Sequence, residues 1–292
     1  MKAGTRSRTA EVAAFQRAAH LLVDDSPKIF VDDKVLPLLS LPARLLLRAP
    51  AHLARRLARG TRSAAKNIGQ LRGQIIVRSR YTEDQLEKRI AAGVSQYVIL
   101  SAGLDTFALR RTDLADQLRV YEVDQIDTQR WKLAQLSRPT PRNVRFIPVD
   151  FENQSIADAL RDSDYNPDEP AFFSWLGTTY YLTREAIRSA LSTLRCVAAS
   201  GSELVLDYWS SEPDMDWQDQ FLLSGIRLAV ALQREPMLSF FDSDQIEREV
   251  EDLGYEVVDN LSPEELRAHY LANRKDNLSL PGFAYLLRIR VR

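Results

Sequence analysis

Glycine and acidic residues follow β-type apolar runs in the first half of this 292-residue chain. The first run ends in Ser101-Ala102-Gly103, and small residues at such a turn let a ligand approach the backbone closely. The second run ends in Tyr121-Glu122-Val123-Asp124, about 20 residues beyond the glycine, where a carboxylate can accept hydrogen bonds from ribose hydroxyls. A tight turn or a solvated carboxylate explains either motif alone, but their spacing together favours a site for an adenosine group.

Two further apolar runs end in residues that could line the same site. The third ends in Asp150-Phe151, where the carboxylate could receive an adenine amino group and the ring could pack on the base. Asp150 could equally begin the next helix. The fourth run leads into polar and aromatic residues that we expect to contact a substrate, since ligands bind beyond the carboxyl ends of such strands: Trp175, Thr179, Tyr180 and Tyr181. Trp175 and one of the tyrosines could instead belong to the core.

Alternating strands and helices are needed to position these motifs. Apolar runs of β type cover residues 94–103, 118–124, 144–151, 171–182 and 202–209, and helical patterns separate them. Residues 254–261 and 283–291 follow with no long crossover helix between them, which predicts two terminal strands that pair antiparallel. The sequence therefore predicts a doubly wound, seven-stranded, mostly parallel α/β sheet of the Rossmann-like kind.

A helical N-terminal extension or lid is predicted over residues 1–93, ahead of a ligand-binding core over 94–292 with a helical insertion at 212–250. Gly60 and Gly73 are expected to interrupt the helices of this extension, with a further helix over residues 74–92. Residues 1–80 hold 16 Lys and Arg against five Asp and Glu, a net charge of +11, whereas the remainder carries −12. Such asymmetry can indicate nucleic-acid or membrane binding, but the basic segment lacks the interleaved aromatic residues that stack on bases. We expect a basic cap docked on an acidic body.

Several classes of function are disfavoured. The dinucleotide fingerprint GxGxxG is absent, which argues against an NAD-dependent oxidoreductase, and no spacing of metal ligands or GxSxG nucleophile motif occurs. No NPPY or DPPY tetrapeptide supports methylation of a nucleic-acid base, so no nucleic-acid partner is expected. The absence of an apolar run of about 18 residues or a signal peptide, with the single Cys196, predicts a cytoplasmic protein without a membrane span.

The ordered set of motifs resembles the leucine carboxyl methyltransferase family and its bacterial relatives, which include polyketide O-methyltransferases. The likeness covers roughly residues 5–210. Its motifs are Arg78-Ser79-Arg80 with Asp84, Ala102 to Thr106, Tyr121 to Asp124 with Lys132, Val149-Asp150, and Gly177 to Leu182, and the segment from Thr9-Ala10 through Asp32 also resembles the family's leading helices. Two positions depart from the family pattern. Ser101 stands where relatives often have glycine, and Leu176 stands where many place glutamate, which leaves the substrate open.

The resemblance implies S-adenosylmethionine as the cofactor of a class I methyltransferase. It suggests Arg78 at the methionine carboxylate, Gly103 beneath the cofactor, and Glu122, or as the second choice Asp124, at the ribose. The expected cofactor-binding residues are Arg78, Ser101, Ala102, Gly103, Asp105, Glu122, Asp124, Asp150, Phe151 and Leu176. No catalytic residue is assigned, because His20, His52 and His269 lie in no catalytic motif and are expected on the surface or the lid.

The expected activity is O-methylation of a carboxylate or other acidic hydroxyl on a small molecule or peptide, in secondary metabolism. A carboxylate is already ionised at pH 7 and needs no general base, and an arginine-rich extension could bind an anionic acceptor. The alternative is a protein that binds the cofactor without transferring methyl, as a cyclase or an interaction module, because fold alone does not fix function.

Overall fold

The computed structural model describes residues 8–48, 62–136, 139–150, 154–210, 217–232, 237–276 and 278–292. Its strands are β1 (Gln96–Leu100), β2 (Arg119–Asp124), β3 (Val144–Pro148), β4 (Phe172–Trp175), β5 (Glu203–Trp209), β6 (Tyr255–Leu261) and β7 (Ala284–Val291). They form one sheet in the order β3-β2-β1-β4-β5-β7-β6. The first five strands are parallel, and β7 runs antiparallel to both β5 and β6. The predicted mostly parallel, seven-stranded α/β sheet is confirmed.

The helices that the structure describes cover the sheet and form the N-terminal region. They are α1 (Arg8–Val23), α2 (Leu41–Arg48), α3 (Arg62–Ala91), α4 (Phe107–Arg110), α5 (Ile126–Gln135), α6 (Ile156–Arg161), α7 (Arg184–Arg195), α8 (Trp217–Leu232), α9 (Ser243–Asp252) and α10 (Pro263–Tyr270). The helical N-terminal region is therefore confirmed, and α8 and α9 lie in the segment predicted as a helical insertion. Within these ranges no helix has the length and apolar character needed to cross a membrane.

Helix α3 is longer than the sequence pattern predicts. Gly73 was expected to interrupt the helices of the extension, yet one helix of 30 residues runs through it. A Cβ atom added at Gly73 would lie 1.8 Å from the carbonyl oxygen of Ser279. This glycine therefore allows the close approach of another chain segment and does not end the helix.

Helix α10 separates β6 from β7, although the sequence pattern placed these strands in direct succession. Ser262 begins the helix with a capping box, in which its hydroxyl accepts from the backbone N–H of Glu265 and the Glu265 carboxylate accepts from the backbone N–H of Ser262. The predicted antiparallel pairing of the two strands is nevertheless present.

Alternation along the strands gives the sheet two different faces. One face, named here the core face, packs apolar residues such as Leu100, Trp175 and Leu206 against α6, α7 and α9. The other, named the site face, carries Asp207 and packs against α3. Because residues two apart share a face, Glu122 also points to the site face, beside Ile99 of the neighbouring strand.

Helix α1 lies across the turn that follows β1. Arg17 donates from Nη2 to the carbonyl oxygen of Leu104 at 2.5 Å and from Nε to Asp32 at 2.7 Å. A Cβ atom added at Gly103 would lie 3.0 Å from the Cβ of Ala10. The N-terminal extension therefore covers the carboxyl end of β1.

A buried ion pair joins the end of α1 to α3. Arg72 donates to both carboxylate oxygens of Asp24, at 2.7 and 2.6 Å, and Nδ1 of His20 lies 2.8 Å from the same carboxylate. His20 is fully buried within the N-terminal region and its Nε2 accepts from the backbone N–H of Ile29, so it does not lie on the surface. Since Arg17 and Arg72 pair with acids of the extension itself, the expected docking of basic residues onto an acidic body does not hold for these two arginines.

This cluster predicts a loss of stability in acid. Burial raises the pKa of Asp24, but hydrogen bonds from His20 and Arg72 outweigh burial and hold the pKa below its ordinary value of 3.8. A carboxylate whose pKa is lowered by folding stabilises the fold above its unfolded pKa, and this contribution is lost as pH falls through the folded pKa. Asp24→Asn should lower the free energy of unfolding by about 3–5 kcal/mol at pH 7, because Arg72 stays buried without a counter-charge.

Urea unfolding of wild type and Asp24→Asn from pH 7 to pH 3 measures this contribution. We expect the difference between the two proteins to stay constant down to about pH 4 and to shrink below it. A difference that is unchanged at pH 3 would show that the Asp24 carboxylate does not stabilise the fold as an ion.

Candidate functional site

The turn after β1 has left-handed backbone at two of its residues. Ser101 has φ of 53° and Gly103 has φ of 54°. The backbone N–H of Gly103 donates to Oδ2 of Asp124, and that of Gln125 donates to Oδ1 at 2.6 Å. Asp105 accepts from the backbone N–H of Phe107, the first residue of α4. The end of β2 thus holds the turn in place, and Ser101 keeps a conformation that costs a non-glycine residue about 1–2 kcal/mol.

The two acids of β2 have different surroundings. Glu122 is 2% exposed and pairs with the ammonium group of Lys132, which is 1% exposed. Burial raises the pKa of Glu122 above its ordinary value, although Lys132 opposes this shift. Asp124 lies at the last position of β2, and burial raises its pKa while the N–H groups of Gly103 and Gln125 oppose the shift. Glu122 is therefore committed to a buried ion pair, whereas Asp124 lies at the strand end beside the turn.

A second polar network lies at the carboxyl ends of β4 and β5. Arg78 of α3 donates from Nη1 to Oδ2 of Asp207 at 2.7 Å and to the hydroxyl of Tyr180 at 3.2 Å. Oδ1 of Asp207 accepts from the backbone N–H of Gly177 at 2.6 Å, and the backbone carbonyl of Asp207 accepts from the hydroxyl of Thr179. Gly177 has φ of 76°, which favours glycine, and a Cβ atom added there would lie 2.6 Å from Nη2 of Arg78.

Sequence reasoning missed Asp207. The signal in the sequence was an acidic residue inside the apolar run of β5. In the structure its carboxylate is 2% exposed, and a buried carboxylate requires a partner. The partner, Arg78, is 129 residues away along the chain, so the pair could not be identified from local pattern.

The other predicted residues divide between the site and the core. Tyr180 lies in the network, and its ring packs on Tyr181 and on Trp209, with centroids 4.8 and 4.6 Å apart. Trp175 points to the core face and is 1% exposed, so it lies apart from the Arg78 network. Ala102 is buried and Leu176 is half-buried against the apolar cluster of the site face.

Asp150 is the last described residue after β3. It is half-buried, and its backbone N–H donates to the side chain of Gln154 at 2.7 Å. Phe151 lies outside the described residues, so the expected adenine contact of this pair stays a prediction.

Comparison with known proteins shows to which family the chain belongs. The sequence matches the family model of leucine carboxyl methyltransferase over residues 10–195. The chain belongs to the leucine carboxyl methyltransferase family. It is 31% identical over 96% of both chains to a Bacillus subtilis protein named "Putative S-adenosyl-L-methionine-dependent methyltransferase YktD". A Mycobacterium tuberculosis protein of the same description is 33% identical over 52% of this chain and 50% of its own length.

A solved structure shares the fold of this leucine carboxyl methyltransferase family member. It is a DUF574 family protein from Streptomyces avermitilis, with a TM-score of 0.60 and 17% identity over 95% of this chain and 97% of that one. Together the relatives show an S-adenosylmethionine-dependent methyltransferase with the expected cofactor.

The residues at the carboxyl ends of the strands fit S-adenosylmethionine. The turn after β1 is small and left-handed, and the carboxylate of Asp124 beside it has about four acceptor positions, of which two are taken by described N–H groups. Arg78 is buried and supplies a planar cation suited to a carboxylate. Among the described residues, no group of three or more His, Cys, Asp or Glu side chains converges as a metal site requires.

Gly103 provides a direct test of the turn. Gly103→Val should weaken binding of S-adenosylhomocysteine at least tenfold, because a β-branched residue at φ of 54° strains the turn and its side chain collides with Ala10 of α1. Calorimetric titration measures the affinity, and circular dichroism verifies the fold. Gly93→Val is the matched control, since Gly93 also has positive φ but no atom lies within 4 Å of an added Cβ. Equal loss of affinity in both variants would show that the weaker binding does not arise from the turn at Gly103.

Proposed function

We propose that this methyltransferase transfers the methyl group of S-adenosylmethionine to an oxygen of a carboxylate, or of a similarly acidic hydroxyl, on a small molecule or peptide. The observation that carries the proposal is the Arg78 network, which offers hydrogen-bond donors and no general base. Asp207 is already engaged by Arg78 and Gly177. Burial raises the pKa of Tyr180 to about 12, with Asp207 adding to the shift, so its hydroxyl stays protonated at pH 7.

The described histidines also support an acceptor that needs no base. His20 is held by Asp24 and by the backbone of Ile29, and His269 lies in the last turn of α10 beside Tyr270. A carboxylate with an ordinary pKa near 4 is ionised at pH 7, whereas a phenol with a pKa near 10 would benefit from a base. The proposal therefore favours carboxyl O-methylation.

For the cofactor we propose the arrangement that the sequence suggested, except that the residue assigned to the ribose changes. Arg78 would hold the methionine carboxylate and Gly103 would lie beneath the cofactor. Asp124, the second choice at the sequence level, is better placed than Glu122 for the ribose, because it lies beside the turn and Glu122 is neutralised by Lys132. The lining is completed by Ser101, Ala102, Asp105, Asp150, Phe151 and Leu176.

The chain itself contributes positioning and exclusion of water. When bound, S-adenosylmethionine supplies a methyl group activated by a positively charged sulfur. Helix α1 covers the turn at Gly103, and Leu222 and Leu223 of α8 pack on the aromatic residues around Tyr180. Holding two reactants in alignment in a water-poor site can lower the barrier by about 7–11 kcal/mol. The N–H donors of Arg78 would fix the orientation of the cofactor through its methionine carboxylate.

A labelling experiment tests the proposed function. The protein is incubated with S-adenosylmethionine carrying a tritiated methyl group and with a panel of aryl and branched aliphatic carboxylic acids and matched phenols. We expect label that mild alkali releases as volatile methanol, since methyl esters hydrolyse and methyl ethers do not. Alkali-stable label would contradict carboxyl methylation. Binding of S-adenosylhomocysteine without turnover of any acceptor would instead favour a protein that holds the cofactor without transferring methyl.

A further inference from the structure

A cavity lies on the outward side of α3, apart from the candidate cofactor site. Its volume is about 470 Å³, within the range of about 300–1,000 Å³ that small-molecule sites occupy. Its walls come from residues 25–29 after α1, from Arg80 of α3, and from residues 269–276 at the end of α10. Arg78 faces Asp207 of the sheet, and residues two apart on a helix point about 200° apart. Arg80 and this cavity, named here the outer cavity, therefore lie on the side of α3 away from the sheet.

Hydrogen bonds join two of these walls. Arg274 donates from Nη1 to the carbonyl oxygen of Pro27 at 3.0 Å and from Nη2 to that of Asp25 at 2.9 Å. The Asp276 carboxylate accepts from Nε of Arg274 and from the backbone N–H of Asp25, both at 2.8 Å. The loop after α10 and the segment after α1 are thus held together, so the outer cavity is preformed.

The Asp84 carboxylate positions Arg80 and Tyr270 at the cavity. Its Oδ1 pairs with Nη2 of Arg80 at 2.6 Å, and its Oδ2 accepts from the hydroxyl of Tyr270 at 3.0 Å. A guanidinium has five N–H donors in a fixed plane. The described residues engage only those on Nη2 of Arg80 in hydrogen bonds or ion pairs, which leaves donors for a ligand.

Positive charges outnumber negative ones around the outer cavity. With histidine counted as neutral, its described lining has four cations and two carboxylates: Lys28, Arg80, Arg274, Lys275, Asp25 and Asp276. Arg274 and Asp276 neutralise each other as an ion pair. Lys275 is exposed and, within the described ranges, pairs with no carboxylate. The lining therefore carries an excess of two positive charges, of which Asp84 behind Arg80 offsets part, and it favours an anion.

Apolar and aromatic side chains also line the outer cavity: Pro27, Ile29, Tyr270 and Ala272. Ile29 and Tyr270 pack against the apolar cluster of the site face, so they offer a fixed surface to an organic group. A phosphate monoester combines such a group with three acceptor oxygens and a charge of about −1.5 to −2 at pH 7. A carboxylate has two oxygens and one charge, and would use fewer of the donors that Arg80 and Lys275 present.

We propose that the outer cavity binds a small phosphate monoester with an apolar or aromatic body. Arg80 and Lys275 donate to the phosphate oxygens, Lys28 adds a third positive charge, and the body packs on Ile29 and Tyr270. Because α3 separates this cavity from the Arg78 network, the phosphate monoester binds together with S-adenosylmethionine and not in its place.

Calorimetric titration of the whole protein with three matched probes tests this inference. Phenyl phosphate carries the phosphate dianion and an aromatic body, phenyl sulfate keeps the shape with a single charge, and inorganic phosphate lacks the body. We expect phenyl phosphate to bind about fivefold more tightly than either, because each comparison removes one charge or the packing of the ring. Saturation with S-adenosylhomocysteine should leave this affinity unchanged.

Substitutions of the charged lining should act with opposite signs. Lys275→Ala and Arg80→Ala should each weaken phenyl phosphate about fivefold, whereas Asp25→Asn should strengthen it by about the same factor, since a nearby carboxylate is lost. Lys88→Ala is the matched control, because it removes an exposed cation of α3 that does not line the cavity. It should bind phenyl phosphate as wild type does.

Four results would each overturn the inference: no binding of phenyl phosphate to wild type, equal affinity for phenyl sulfate or inorganic phosphate, displacement of phenyl phosphate by S-adenosylhomocysteine, or unchanged affinity in Lys275→Ala and Arg80→Ala. A loss in Lys88→Ala equal to that in Lys275→Ala would do the same, because it would reduce the effect to the overall charge of the protein. None of these titrations requires methyl transfer, so the inference and the proposed function fail separately.

Discussion

Arg78→Ala is expected to lower the free energy of unfolding by about 3–5 kcal/mol and to abolish binding of S-adenosylhomocysteine. The stability is lost because Asp207, 2% exposed, keeps its charge without the guanidinium beside it. Binding is lost because the planar cation that matches a carboxylate is gone. Urea unfolding and calorimetric titration measure the two effects separately.

Two further variants separate binding from folding. The double variant Arg78→Met with Asp207→Leu removes both charges, so it should recover much of the stability and none of the cofactor affinity. Arg78→Lys keeps the charge but loses the two parallel hydrogen bonds, and should weaken S-adenosylhomocysteine tenfold or more, about 1.4 kcal/mol.

Arg80→Ala is the control for this series. Arg80 is 47% exposed and pairs with Asp84 one turn along α3, so its removal should cost less than about 1 kcal/mol and leave cofactor affinity unchanged. Wild-type affinity in Arg78→Lys, or a loss in Arg80→Ala that matches it, would remove Arg78 from the cofactor site.

Asp124→Asn is expected to weaken S-adenosylhomocysteine by about 1.5–3 kcal/mol, a factor of roughly 10–150. The substitution removes a charged acceptor for ribose hydroxyls and disturbs the turn that Asp124 holds through Gly103. Glu122→Gln should leave the affinity within threefold of wild type. It should instead lower the free energy of unfolding by about 3–5 kcal/mol, because Lys132 stays buried without a counter-charge.

The double variant Glu122→Gln with Lys132→Met is the control for folding, since it removes both members of the buried pair. It should be more stable than Glu122→Gln alone and should bind the cofactor normally. If Glu122→Gln loses affinity while it remains folded, and Asp124→Asn does not, the ribose contact belongs to Glu122.

The sheet could be predicted from the sequence because its strands are continuous apolar runs that end at turns. The sequence pattern gave a wrong prediction where one residue type can serve two structural purposes, either to end a helix or to allow a close contact. Gly73 was taken as a helix interruption, but it permits contact with Ser279, and that contact depends on residues about 200 positions away, beyond the reach of local pattern. Helix α10 was missed although Ser262 and Glu265 carry the signature of its capping box.

The candidate site was only partly predictable for a related reason. Strand ends identify Gly103 and Asp124, because the motif lies within one strand–turn–strand unit. Asp207 meets its partner Arg78 only because α3 packs on β5, which no local pattern shows. Trp175 and Trp209 look alike in the sequence, and only the register of the sheet places one on the core face and the other on the site face.

A crystal structure of the protein bound to S-adenosylhomocysteine tests most directly whether this site holds the cofactor. We expect the ribose hydroxyls within hydrogen-bond distance of Asp124, the methionine carboxylate at Arg78, and the adenine beside Asp150. The sulfur should face the wall formed by Tyr180 and Trp209. A bound ligand that leaves Asp124 and Arg78 untouched, at any other place on the protein, would contradict the site described above.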